Sequence, residues 1–159
     1  YKIDAGHSTT IYNGECVKIS SGYVVGGNGS AADILGVLNG IFYNDASTLK
    51  PTFANFYKAT ITPANSEDTT AFVIDDPFQQ YVVAADAATG VTTFLETYDM
   101  NTSAGSDTTG QSSATLDIGD TSADAASFRL LRSAEDPEND ENAAFRSVVV
   151  VPNLIELQS

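Results

Sequence analysis

Short apolar runs, broken at close intervals by turn residues, set the tightest limit on how this chain can fold. Runs rich in Val, Ile, Thr, Tyr and Phe occupy residues 15–19, 23–25, 34–42, 53–61, 71–74, 79–85, 91–98, 114–118, 127–132 and 146–151. Such residues fit a pleated, half-buried surface. Between them stand Asn13-Gly14, Gly26-Gly27-Asn28-Gly29, Asn44-Asp45, Pro63-Ala64-Asn65, Asp75-Asp76-Pro77, Ala88-Thr89-Gly90 and Thr109-Gly110. Asn-Gly pairs and clustered glycines reach positive φ at little cost, as tight hairpins require. Alternation is clean at Ala114, Leu116 and Ile118 against Thr115 and Asp117, and residues 148–151 are apolar throughout, as in a strand covered on both faces. Pro152 then ends the ladder, having no N–H to donate. The pattern predicts an all-β fold, a β-sandwich or barrel of about eight to ten short strands.

Two segments compete as helices. Residues 30–38 offer Ser30 as an N-cap with Asp33 three positions on. Gly36, Gly40, Ile34 and Val37 argue instead for a strand, which is the favoured reading. Residues 122–127, rich in Ala, are long enough for one helical turn.

At 159 residues the chain suits one domain with one sizeable core. The expected layout is an N-terminal arm over residues 1–10 and a single β domain over 11–159. The chain opens at Tyr1 with no signal-peptide pattern, which leaves room for residues ahead of it. No run approaches the ~20 apolar residues of a membrane helix. The net charge is −14, and the seven cations (Lys2, Lys18, Lys50, Lys58, Arg129, Arg132 and Arg146) form no cluster. Nucleic acid and anionic membrane are therefore not expected partners.

The single Cys16 excludes an intrachain disulfide and reads as a small buried hydrophobe. The single His7 excludes Cys/His zinc clusters and, beside Ser8 and Thr9 near a chain end, reads as solvated rather than catalytic. Glu135, Asp136, Glu138, Asp140 and Glu141 carry oxygens that suit Ca²⁺, but the spacing is not that of an EF-hand, and a charge run is more simply a solvated face. Asp117, Asp120 and Asp124 are spaced more loosely still. Asp75 and Asp76 are adjacent, so on a strand they point to opposite faces and cannot flank one substrate; capping a turn before Pro77 is the better role. No P-loop, dinucleotide fingerprint or Gly-x-Ser-x-Gly elbow occurs, and Gly26 to Gly29 reads as a turn. Phe53, Phe56, Tyr57, Phe78 and Tyr81 are read as core rather than as a sugar-stacking platform. No catalytic residue, metal site or cofactor is expected, and an enzyme is the least supported class.

The order of several segments resembles a known family. Ile11-Tyr12-Asn13-Gly14-Glu15-Cys16-Val17-Lys18 resembles Ile-x-x-Gly-Asp-x-Val-Lys, and Ile34-Leu35-Gly36-Val37 resembles an Ile-Leu-Gly-Val strand. Phe72-Val73-Ile74-Asp75-Asp76-Pro77 is similar to Val-x-Asp-Asp-Pro, although Gln80 and Tyr81 stand where the family has Phe-Glu-Val. Thr108-Thr109-Gly110-Gln111-Ser112 followed by Leu116-Asp117 resembles Thr-Thr-Gly-x-Ser-x-x-x-Leu-Asp. Phe128-Arg129-Leu130-Leu131, the turn at Asp136-Pro137-Glu138-Asn139 and residues 148–154 resemble the family's last strands. The family is that of capsid decoration, or cement, proteins of tailed phages, often from marine hosts. It implies a virion structural protein, without enzymatic activity, on the outer surface of the head, with the major capsid protein and itself (as a homotrimer) for partners. A surface glycan-binding module of the head or a fibre, Ca²⁺-assisted, is the alternative. The residues expected to touch neighbours are Tyr1, Lys2, Ile3, Asp4 and His7 of the arm, Ser106, Thr109 and Gln111 of the polar loop at 101–113, and Glu138 and Asp140 of the acidic loop at 135–142.

Overall fold

A computed structural model describes residues 1–27, 34–101, 105–119, 127–140 and 143–153. Among them twelve strands form: β1 (Lys2–Ile3), β2 (Cys16–Ser20), β3 (Tyr23–Gly26), β4 (Gly36–Asn44), β5 (Pro51–Ala54), β6 (Thr69–Ile74), β7 (Tyr81–Ala84), β8 (Thr97–Tyr98), β9 (Met100–Asn101), β10 (Thr115–Leu116), β11 (Phe128–Ser133) and β12 (Ser147–Pro152). The only helical pieces among these residues are 3₁₀ turns at Ala64–Ser66 and Val91–Thr93. The chain is all-β, as its punctuation predicts. Residues 34–42 are extended, and the one-turn helix expected at 122–127 lies mostly outside the described residues, as do Asn28 and Gly29 of the glycine cluster and Asp120, Asp124 and Glu141.

The larger sheet runs β1-β6-β4-β2-β3, all antiparallel, with β5 added to β4. Its long strand β4 changes partner midway: Cys16 and Val17 of β2 face Val37 and Gly36, whereas β5 faces Ile41 to Asn44. Gly40 permits the change. The register against β6 slips between Leu38 and Ile41, and Gly40 sits there at φ 114°, a conformation that a side chain resists. The sheet curls so that β1 lies beside β3, enclosing Ile3, Ile11, Val17, Val24, Leu35, Leu38, Ile41, Tyr57 and Ala71.

The remaining strands close a ring. β7, β12, β11 and β8 pair in that order. β8 runs through Asp99 into β9, which pairs with β10. A parallel bridge between Leu116 and Ala85, just after β7, completes the circuit. The Asp86 N–H donates to the Leu116 carbonyl at 3.0 Å, and the Ile118 N–H to Asp86 Oδ1 at 2.9 Å. Inside lie Ala85, Tyr98, Met100, Leu116, Phe128, Leu130, Val148 and Val150, with Cys16 and Ile34 plugging one side.

The two cores share a wall. Along β2, Cys16 enters the ring while Val17 enters the curled sheet, and Ile34 and Leu35 repeat the division. Period-2 alternation thus feeds opposite cores from adjacent residues. Burial pushes the Cys16 thiol up to about 12, with Glu15 adding to the effect. The thiolate is the reactive form, so Cys16 should stay unmodified by a thiol reagent such as dithionitrobenzoate in native buffer and react fully in denaturant. Fast native labelling would contradict this placement.

Candidate interaction surface

The first ten residues do not project as an arm. Tyr1 and Ala71 exchange two backbone hydrogen bonds at 2.9 and 3.0 Å, and Lys2 and Ile3 pair with Thr70 and Thr69 on β6. The segment has an apolar side chain to bury: Ile3 is 0% exposed and offers no contact to a neighbour. Tyr1 and Lys2 remain outside, with the Tyr1 hydroxyl donating to Asp75 Oδ2 at 2.7 Å and Lys2 Nζ to Thr70 Oγ1 at 2.9 Å. Asp4 is exposed and caps the turn, accepting from the Gly6 N–H at 2.8 Å.

His7 is half-buried against Tyr57 rather than solvated. The rings lie 5.5 Å apart, and the Tyr57 hydroxyl donates to the His7 carbonyl at 2.9 Å. Its Nε2 is buried with no described hydrogen-bond partner. Desolvation lowers the His7 pKa, and the Asp4 carboxylate opposes the shift in part. The unfolded chain therefore takes up a proton on His7 more readily than the folded one. His7 thus favours folding above its ordinary pKa of about 6.5, and this contribution is lost as pH falls through the lowered value. Between pH 7.5 and 5.5 the wild type should lose urea midpoint relative to His7→Gln, while the raised carboxyl of half-buried Glu15 acts in the opposite sense in both proteins and cancels in the comparison. The same change in both proteins would refute the placement.

The polar loop is stitched to the larger sheet. The Asn13 N–H donates to the Gly110 carbonyl at 2.8 Å, and the Ser112 N–H donates back to the Asn13 carbonyl at 2.9 Å. Asn55 Nδ2 donates to the Thr109 carbonyl at 2.9 Å, and the Tyr12 hydroxyl to Asp107 Oδ1 at 2.7 Å. Gln111 forms a parallel bridge with Asn13, and Ser106 closes the loop by accepting from the Gly110 N–H at 2.6 Å. Tyr12 and Phe56 stack with planes 5° apart, and Gly110 packs against Phe56 at φ 73°. Ser106, Thr109 and Gln111 thus stand exposed on a loop held at both ends.

The acidic loop joins β11 to β12. Asn139 organises it: Nδ2 donates to the carbonyls of Ala134 and Ser147 at 2.9 and 2.8 Å, and Oδ1 accepts from the Ser147 N–H at 2.9 Å. Asp136 Oδ1 accepts from the Glu138 N–H at 3.1 Å. An open hollow of about 240 Å³ lies against Asp136, Glu138, Asp140 and Arg146. Arg146 is buried, its Nη1 donating to the Thr89 carbonyl at 2.5 Å. No group of three or more His, Cys, Asp or Glu side chains suited to a metal occurs among the described residues. Glu138 and Asp140 stand exposed on the loop between β11 and β12 of the ring. At Asp75-Asp76, Asp76 Oδ1 caps the turn by accepting from the Phe78 N–H at 2.8 Å, whereas Asp75 receives the Tyr1 hydroxyl and ties down the chain's first residue instead.

Reading the aromatic residues as core misses a surface. Tyr57 is fully buried, but Phe53 is 73% exposed and Phe78 80% exposed. The cause is that β5 stops at Ala54: the chain bends at Asn55 and Phe56, so Phe53 and Tyr57 no longer share a face. Phe53 lies opposite Phe42, with ring centroids 4.8 Å apart, and 6.3 Å from Phe72. Lys2, Thr70, Phe42 and Phe53 form one line across β1, β6, β4 and β5. No family model, curated protein or solved structure matches the chain. No described helix is long and apolar enough to cross a membrane.

None of the 21 acidic residues lies in a described strand; they stand in turns and loops, with Asp4, Asp45, Asp68 and Asp75 flanking β1, β4 and β6. Phe53 and Phe72 stand exposed beside the half-buried Phe42. Exposed contiguous apolar groups of this kind mark contact surfaces.

Proposed function

We propose that this protein is a capsid decoration, or cement, protein of a tailed-phage head, a structural component without enzymatic activity. It sits on the outer face of the shell and braces neighbouring major capsid subunits. The observation that carries the reading is the pair of exposed rings Phe53 and Phe72 beside the half-buried Phe42, an adhesive apolar face on the larger sheet. The resemblance supports it, since the motifs span almost the whole chain. They also fall on structural joints: Thr109 to Ser112 is the loop stitched to Asn13, and Asp75-Asp76-Pro77 is the turn after β6. A shell protein that never meets the packaged genome has no need of a basic surface, and the acidic balance fits an outer position.

The test uses phage heads stripped of this chain, to which the purified protein is added back. It should bind the outside of the heads and raise the temperature at which they release DNA. Failure to bind stripped heads, or binding to host glycan abolished by a chelator, would overturn the reading.

A further inference from the structure

We propose that two copies of this chain join edge to edge through β5, about a two-fold axis centred on Phe53. The backbone of β5 is suited to it. The Asp45 N–H donates to the Lys50 carbonyl at 3.1 Å, which makes Asp45 and Lys50 a directly bonded pair. In an antiparallel ladder bonded and non-bonded pairs alternate, so Tyr43–Thr52 and Ile41–Ala54 are bonded, while Asn44–Pro51 and Phe42–Phe53 are not. The N–H and C=O of Phe53 therefore point away from β4, and no described strand lies beyond β5. Pro51 has no N–H, so Phe53 is the only residue well inside this edge with both a donor and an acceptor turned outward.

A two-fold axis satisfies both groups with the same residue of the second copy. Each Phe53 N–H meets the partner copy's carbonyl, as in a bonded antiparallel pair. Both larger sheets then continue into one, and the Phe42–Phe53 row of each copy runs into that of the other. The strands at the junction carry no carboxylate, so the pairing itself sets no like charges opposite one another. A pair of this kind takes the place, at this surface, of the three-fold trimer that the family resemblance implies. It stands independently of the coat reading, since a dimer forms or fails to form in purified protein.

The experiment is sedimentation equilibrium of the purified wild type, Phe53→Ser and Phe78→Ser over a wide concentration range. Wild type and Phe78→Ser should show a monomer–dimer equilibrium, and Phe53→Ser should raise its dissociation constant at least tenfold. Added salt should tighten the wild-type dimer, because it screens the repulsion between two acidic chains. Phe53 is exposed, so its replacement leaves the fold standing. As a readout that needs no variant, the Phe53 amide of the wild type should exchange with deuterium more slowly as protein concentration rises. A monomer at every concentration, a trimer, or a dimer indifferent to Phe53→Ser would overturn the proposal.

Discussion

Leu116→Ala should destabilise the protein by about 2–5 kcal/mol, the usual cost of opening a cavity at a buried leucine. For a chain of this size that corresponds to a fall in Tm of about 4–20 °C. Leu116 is fully buried, pairs with Met100, and closes the ring through Ala85 and the Asp86 N–H. Its side chain fills the ring while its backbone fastens it, so neighbours have little freedom to collapse into the space left. The loss should reach the whole chain. Because Cys16 and Val17 serve different cores from one strand, neither core can come apart and leave the other walled. Calorimetry or urea unfolding followed by tyrosine fluorescence and by far-UV circular dichroism should give one coincident transition in wild type and variant alike. Two separated transitions would contradict the shared wall.

Gly36→Ala should be destabilising by about 1–3 kcal/mol, although Gly to Ala in a strand ordinarily stabilises. A Cβ at Gly36 would run into the Ile74 carbonyl oxygen and come within 2.8 Å of Val73 Cγ1. The carbonyl cannot retreat easily, because Val37 and Ile74 are in register between β4 and β6. Gly90 is the control: a methyl group there would meet nothing within 4 Å, and its φ is −122°. Gly90→Ala should be neutral or slightly stabilising. Urea midpoints of the two variants decide the matter, and a Gly36→Ala protein as stable as wild type would show that β4 and β6 are packed less closely.

Local pattern carries much of this fold in the sequence. β2, β3, β6 and β12 lie where runs containing Val, Ile or Thr have Gly, Asn or Pro close by. Residues 34–42 are extended rather than a capped helix, and Gly36 and Gly40 have reasons to be glycine that only an extended chain supplies. Non-local features are not legible in the same way. The parallel bridge from Ala85 to Leu116 joins segments far apart in sequence, and no alternation announces a ring. Burial of Ile3 depends on β6, which begins at Thr69, so the first residues read as an arm when seen alone. The outward turn of Phe53 is hidden for a different reason. Parity links Phe53 to Tyr57 only if one strand runs through both, and the bend at Asn55 breaks it.

Adhesion to a phage shell is most directly tested by the number of copies per particle. Quantitative mass spectrometry of purified heads, with antibody labelling of intact particles, measures both abundance and exposure. A fixed, whole-number ratio to the major capsid protein, with the chain reachable from outside, is the result this account predicts. One or a few copies at the tail, or none in the particle, would contradict it.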